Sequence, residues 1–129
     1  MRNRIGIIVG GVFAALALVV AASPASAAVN IHNATLVGSA AYPAANGKAK
    51  FSVDDGVREL EAQVEDVRPL AGQRVRFIVN GNLVGAATVN SFGDARLRRT
   101  GSVVPNVTTG SPIRVRTTTG VLVASGRFG

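Results

Sequence analysis

The chain has 129 residues, no cysteine, one histidine and a formal net charge of +7, with 14 Lys and Arg against 7 Asp and Glu. Without cysteine, the sequence cannot form a disulfide framework, a zinc–thiolate site or a cysteine nucleophile. With 47% hydrophobic and 16% charged residues, it is too apolar for an intrinsically disordered chain, and its length fits one domain.

The first 27 residues are predicted to be a secretory signal peptide. Two arginines precede an apolar run from Ile5 to Val20, and Ala25-Ser26-Ala27 forms an A-x-A cleavage site before Ala28. The alternative is an uncleaved membrane anchor, but the apolar run is shorter than the ~20 residues that a spanning helix needs. No cysteine is present for lipid attachment and no second hydrophobic span or C-terminal anchor follows. We therefore expect a secreted or extracytoplasmic domain of residues 28–129.

The rest of the chain is predicted to be an antiparallel all-β domain. From Gly47 onward, glycines recur mostly every 8 to 12 residues, which is typical of a sandwich or barrel of short strands. No segment sustains a helical apolar period, so we expect no substantial helix. The eight predicted strands are Ala34 to Ala41, Lys48 to Val53, Val57 to Val67, Arg74 to Val79, Leu83 to Asn90, Ala95 to Thr100, Ile113 to Thr117 and Val121 to Phe128.

Polar and apolar residues alternate within several of these strands, which predicts one solvated face and one buried face. The predicted core includes Leu60, Val64, Val75, Phe77, Leu97, Val115 and Leu122.

Turn residues join the strands. Asp54-Asp55-Gly56 is a hairpin signal, and a two-residue loop at Thr119-Gly120 would place Leu122 and Ala124 on the buried face. At Asn80 to Asn82 we expect a three-residue loop with Asn82 in the left-handed region, because that register places Leu83, Ala87 and Val89 beside Phe77. The segment from Gly101 to Pro112 is predicted to cross from one sheet to another.

About the last 50 residues carry a succession of turn and core positions: Asn80-Gly81, Val84-Gly85, Ala87, Val89-Asn90, Gly93, Ala95, Leu97, Val104-Pro105, Gly110, Ile113, Val115 and Gly126-Arg127-Phe128. With this succession, the second half of the chain resembles small exported bacterial domains with an immunoglobulin-like β-sandwich outline. The resemblance implies an immunoglobulin-like antiparallel sandwich of seven or eight strands. It implies no activity or ligand, because fold alone does not supply one.

The sequence gives little support for catalysis, so we expect no enzyme, no metal and no cofactor. The single histidine, His32, lies near the predicted cleavage site in a segment expected to fray. Glu59, Glu61 and Glu65 share one face of one strand and are expected to point to solvent, where general acid catalysis is not favoured. Asp54-Asp55-Gly56 supplies too few ligands for calcium.

Charge is distributed unevenly along the chain. Residues 28–66 hold three basic residues against six acidic ones, net −3, whereas residues 67–129 hold nine arginines against Asp94, net +8. Three i, i+2 pairs place both members on the same face of a strand. These six arginines are the candidate contact for an anionic polymer: Arg74, Arg76, Arg96, Arg98, Arg114 and Arg116.

The six arginines would cover one surface if their strands lie together in one sheet. The alternative is a set of solvated faces, with Glu61 and Glu65 partly neutralising Arg74 and Arg76 across a hairpin. Nucleic acid is not favoured as a specific partner, because no aromatic residues alternate with the basic ones.

We therefore expect a non-enzymatic exported domain that acts through its surface in adhesion, envelope or matrix association. A secreted inhibitor or ligand-binding module that uses residues 101–111 is the first alternative, and a hydrolase is the second.

Overall fold

The computed structural model describes residues 30–129, and the predicted signal peptide lies outside them. The described part of the chain is an antiparallel all-β domain, as predicted. Its strands are β1 (Asn30–Gly38), β2 (Asn46–Asp54), β3 (Val57–Glu65), β4 (Arg74–Val79), β5 (Asn82–Thr88), β6 (Ala95–Thr100), β7 (Pro112–Thr117) and β8 (Leu122–Arg127). The helical content of these residues is one short 3-10 turn at Arg68–Leu70. No helix among them is long and apolar enough to cross a membrane.

All eight predicted strands are present, and the bounds of β4 and β6 match the prediction. The largest difference is at β1, which starts at Asn30, four residues before the predicted start. His32 therefore lies in a paired strand, opposite Phe51 of β2, rather than in a frayed segment. Its Nδ1 is 2.6 Å from the backbone oxygen of Gly129, so the last residue of the chain also lies against β1.

The eight strands form one continuous sheet in the order β5-β4-β7-β8-β1-β2-β3-β6. The sequence predicted two sheets with a crossing at residues 101–112; this segment instead joins β6 to β7 within one sheet. The sheet curls until its end strands approach each other, nearly closing a barrel. A Cβ atom built on Gly85 of β5 would lie 3.1 Å from Leu97 Cδ1 of β6.

The inward faces of the strands fill the core. Six of the seven predicted core residues are buried: Leu60, Val64, Val75, Phe77, Leu97 and Val115. The prediction for Leu122 is wrong, because the loop before β8 is one residue longer than expected: the Thr117 N–H donates to the Val121 oxygen. Leu122 therefore pairs with outward-facing Arg116. Val123 then faces inward by alternation, and a bulge brings Ala124 inward as well, opposite Val115.

The turn between β4 and β5 also differs from the prediction. Val79 pairs with Asn82, so the loop has two residues, and both Asn80 (φ 52°) and Gly81 (φ 79°) are left-handed, as a type I′ hairpin requires. A bulge near Phe77 then changes which residues face inward. Val84 is buried before the bulge and Val89 after it, whereas Leu83 is 55% exposed.

Residues 101–111 close one end of the barrel. Val104 and Val107 are buried there, and the Gly110 N–H donates to the Phe128 oxygen at 2.7 Å. The Asn80 side chain donates to the Asn106 oxygen at 2.9 Å, which joins this segment to the β4–β5 turn. The segment thus contributes to the core as well as to the surface.

Candidate functional site: two basic surfaces

The outward faces of the barrel strands divide into two halves of different charge. Strands β5, β4, β7 and β8 are consecutive in the sheet; they carry five arginines and no Asp or Glu. Strands β1, β2, β3 and β6 carry six Lys and Arg together with four acids. This division differs from the division of charge along the sequence. Strand β6 belongs to the basic second half of the chain, but it pairs with β3 of the first half.

The structure brings together four of the six predicted arginines. Arg76 of β4 lies directly opposite Arg116 of β7, and both are on the outward face. On β4, the next outward residue beyond this pair is Arg74. On β7, the next outward residue in the opposite direction along the strands is Arg114. The four side chains therefore start from a diagonal line across two neighbouring strands.

A fifth arginine, Arg127, extends this line onto β8. It pairs with Pro112, the outward residue that precedes Arg114 on β7 by two positions. We call the five residues the arginine stripe: Arg74, Arg76, Arg116, Arg114 and Arg127. With about 6.6 Å between outward residues of one strand, the stripe spans roughly 20 Å along the strand direction. Sequence spacing does not reveal Arg127, because this residue has no arginine partner at i, i+2.

The arginine stripe includes a shallow depression of about 260 Å³, lined by Arg114, Ser125 and Arg127 among others. Two stripe side chains are held by backbone oxygens at 2.9 Å: Arg116 Nη1 donates to Gly120, and Arg127 Nη1 donates to Gly110. These bonds use one donor group of each guanidinium, which has five N–H donors. The remaining donors are available to an anion.

Arg96 and Arg98 lie on β6, the last strand in the sheet order; where the barrel nearly closes, β5 separates β6 from the stripe strand β4. Arg98 Nε forms an ion pair with Glu59 and lies 3.5 Å from Glu61 Oε2. The expected neutralisation of Arg74 and Arg76 by Glu61 and Glu65 is therefore wrong, because β3 pairs with β2 and β6 and not with β4. No ion pair joins a stripe arginine to an acid within residues 30–129.

Arg96 and Arg98 contribute instead to a groove of about 710 Å³ on the outward face of β1, β2, β3 and β6. Strand register aligns its outward side chains in two rows across the four strands. We call this site the polar groove. One row is Thr35, Lys48, Gln63 and Arg96, and the other is Asn33, Lys50, Glu61 and Arg98.

Local sequence patterns do not reveal the polar groove. Lys48 and Lys50 belong to the net-negative half of the chain, and the i, i+2 spacing groups Arg96 and Arg98 with Arg114 and Arg116. The alternation of lysines along β2 was visible, but the alignment of β2 with β3 and β6 depends on long-range pairing.

No set of three or more His, Asp or Glu residues is placed to hold a metal ion within residues 30–129. Glu59 and Glu61 instead contact Arg98, and the Asp55-Gly56 turn is an ordinary two-residue hairpin with both residues left-handed. No protein-family model matches the sequence, and a search of curated proteins finds no match.

Proposed function

We propose that the protein is an exported, non-enzymatic β-domain that associates with the cell envelope or matrix by binding an anionic polymer through the arginine stripe. The observation that carries this proposal is the direct pairing of Arg76 with Arg116 on a half-sheet without acids. Like charges at directly opposite positions destabilise a sheet. Selection for stability alone favours an acid or a neutral residue at one of these positions, whereas a bound anion relieves the repulsion.

The chemistry of the arginine stripe favours a phosphate-rich polymer. Guanidinium groups present several N–H donors in a planar fork that fits phosphate oxygens. A line of five such groups over roughly 20 Å favours a repeating anion over a single small one, because each phosphate then meets a neighbouring arginine. The binding must weaken as salt screens the charges.

Export and the relationship to immunoglobulin-like exported domains are part of the same proposal. Export rests on the N-terminal sequence pattern. The relationship to immunoglobulin-like exported domains rests on the turn and core positions of residues 80–128 together with the antiparallel strands. The alternative of a ligand-binding loop at residues 101–111 has less support, because Val104 and Val107 of that segment are buried in the core.

Retention on immobilised inorganic polyphosphate tests the proposed function. The full chain is loaded at low ionic strength and eluted with a salt gradient. We expect Arg76→Gln with Arg116→Gln to elute at clearly lower salt than the unmodified chain. The matched control is Arg96→Gln with Arg98→Gln, which removes the same charge from the other half of the sheet and should change elution little. Equal shifts for the two variants, or no retention of the unmodified chain, would contradict the proposal.

A further inference from the structure

We propose that the polar groove is a second binding site, separate from the arginine stripe, and that it takes an extended acidic oligosaccharide whose sugars carry carboxylates and free hydroxyls. The two sites lie on different halves of the sheet, since the stripe occupies β4, β7 and β8 and the groove occupies β1, β2, β3 and β6. The groove proposal therefore stands or falls independently of the stripe.

The shape of the polar groove follows from the residues beneath it. Three alanines, Ala34, Ala49 and Ala62, lie directly opposite one another on β1, β2 and β3, and all three are buried. Large side chains at these positions would hold the sheet away from the opposite wall of the core. Because protein interiors pack densely, small side chains allow the sheet to approach that wall, which leaves a depression on the outer face.

The dimensions of the polar groove suit a linear chain. Its two rows cross four strands, so each row is about 14 Å long at ~4.8 Å between strands. The rows are about 6.6 Å apart, which is two residues along a strand. The volume of about 710 Å³ lies within the ~300–1,000 Å³ range of small-molecule sites. A single extended oligosaccharide that runs across the strands therefore contacts both rows along its length.

The polar groove offers two kinds of hydrogen-bonding group. Lys48 and Arg96 lie in the same row on either side of Gln63, and neither forms an ion pair within the described residues. They are about 10 Å apart at the backbone, with the strand that carries Gln63 between them. Two carboxylates of a ligand chain can therefore each meet a separate cation.

The second row adds acceptors for hydroxyl groups. Glu61 lies between Lys50 and Arg98, and Asn33 begins the row. A carboxylate accepts hydrogen bonds from sugar hydroxyls, but it repels a polymer that carries only phosphates. The groove lining contains no aromatic side chain, so it lacks the platforms on which single-stranded nucleic acids stack their bases. A ligand with both carboxylates and hydroxyls fits this set of groups best.

Calorimetric titration of the full chain with an oligogalacturonate tests the groove. We expect Lys48→Gln with Arg96→Gln to weaken binding at least tenfold, because both unpaired cations are lost. The matched control, Arg58→Gln with Arg68→Gln, removes equal charge outside both the polar groove and the arginine stripe and should weaken binding less than twofold. No binding by the unmodified chain, or equal losses in the two variants, would overturn the proposal.

Two further measurements separate recognition of a sugar from attraction of any anion. Gln63→Ala changes no charge, and we expect it to weaken oligogalacturonate binding several-fold at moderate salt because an amide between the two cations is lost. In the same titration, the double variant Lys48→Gln with Arg96→Gln should bind inorganic polyphosphate with the same affinity as the unmodified chain. An unaffected Gln63→Ala variant, or polyphosphate binding that depends on Lys48 and Arg96, would show that the groove is not a sugar site.

Discussion

The pairing of Arg76 with Arg116 makes a quantitative prediction about stability. The two residues are directly opposite across β4 and β7, so their Cβ atoms are about 5 Å apart. Two unit charges ~5–8 Å apart in water repel by ~0.5–0.8 kcal/mol, and Arg76→Glu replaces this repulsion with attraction of similar size. After screening, we expect a gain of about 1 kcal/mol in the free energy of unfolding at low ionic strength, which raises Tm by ~4–8 °C for a domain of this size.

Thermal unfolding in low salt and in 1 M NaCl measures this effect. Arg76→Gln should give about half the gain, because it removes the repulsion without adding attraction. Arg74→Glu is the matched control: Arg74 lies opposite Thr88, so reversing its charge should raise Tm less. The gains should nearly vanish in 1 M salt, where the Debye length is ~3 Å. A Tm that Arg76→Glu leaves unchanged or lowers, or a gain that persists in 1 M salt, would refute the electrostatic reasoning.

Three other predictions test the fold and the processing. Phe77→Ala should lower the free energy of unfolding in urea by ~3–5 kcal/mol, because Phe77 is fully buried. Arg76→Ala should change it by less than about 1 kcal/mol. The reverse order would mean that the inward and outward faces of β4 are exchanged. Gly47→Ala should destabilise more than Gly81→Ala, because a Cβ on Gly47 would clash with the backbone oxygen of Gln63 on β3. A Cβ on Gly81 would meet open space, so only the left-handed φ is strained, at a cost of ~1–2 kcal/mol. Equal melting temperatures for the two variants would contradict the close approach of β2 and β3. Protein recovered from the medium should begin at Ala28 in intact-mass and N-terminal sequencing, and recovery of the full chain in membranes would contradict export.

Local sequence patterns were sufficient to predict the strands and most of the core. Alternation in Arg74 to Val79 fixes which residues face inward, because the side chains of a strand point to opposite faces in turn. The same pattern does not reveal the lengths of the loops before β5 and β8 or the bulges near Phe77 and Val115. Leu83 and Leu122 lie between loop and bulge and are not buried, contrary to prediction. Each bulge then reverses the alternation, so Val89 and Ala124 beyond the bulges are buried as predicted.

Strand order was beyond the reach of local patterns, and the candidate sites depend on it. Arg96 and Arg98 have the same spacing as Arg114 and Arg116, but β6 pairs with β3 and β7 pairs with β4. The first pairing places Arg98 opposite Glu61, whereas the second places Arg116 opposite Arg76. The arginine stripe and the polar groove are therefore products of long-range pairing between strands, which alternation within one strand does not show.

The most direct test of the central claim is an NMR titration of the full chain with inorganic polyphosphate at low salt, followed through the Nε–Hε resonances of its arginines. We predict that the largest shifts occur at Arg74, Arg76, Arg114, Arg116 and Arg127, and that Arg96 and Arg98 change little. Shifts spread evenly over all arginines, or largest at Arg96 and Arg98, would contradict the assignment of anion binding to the arginine stripe.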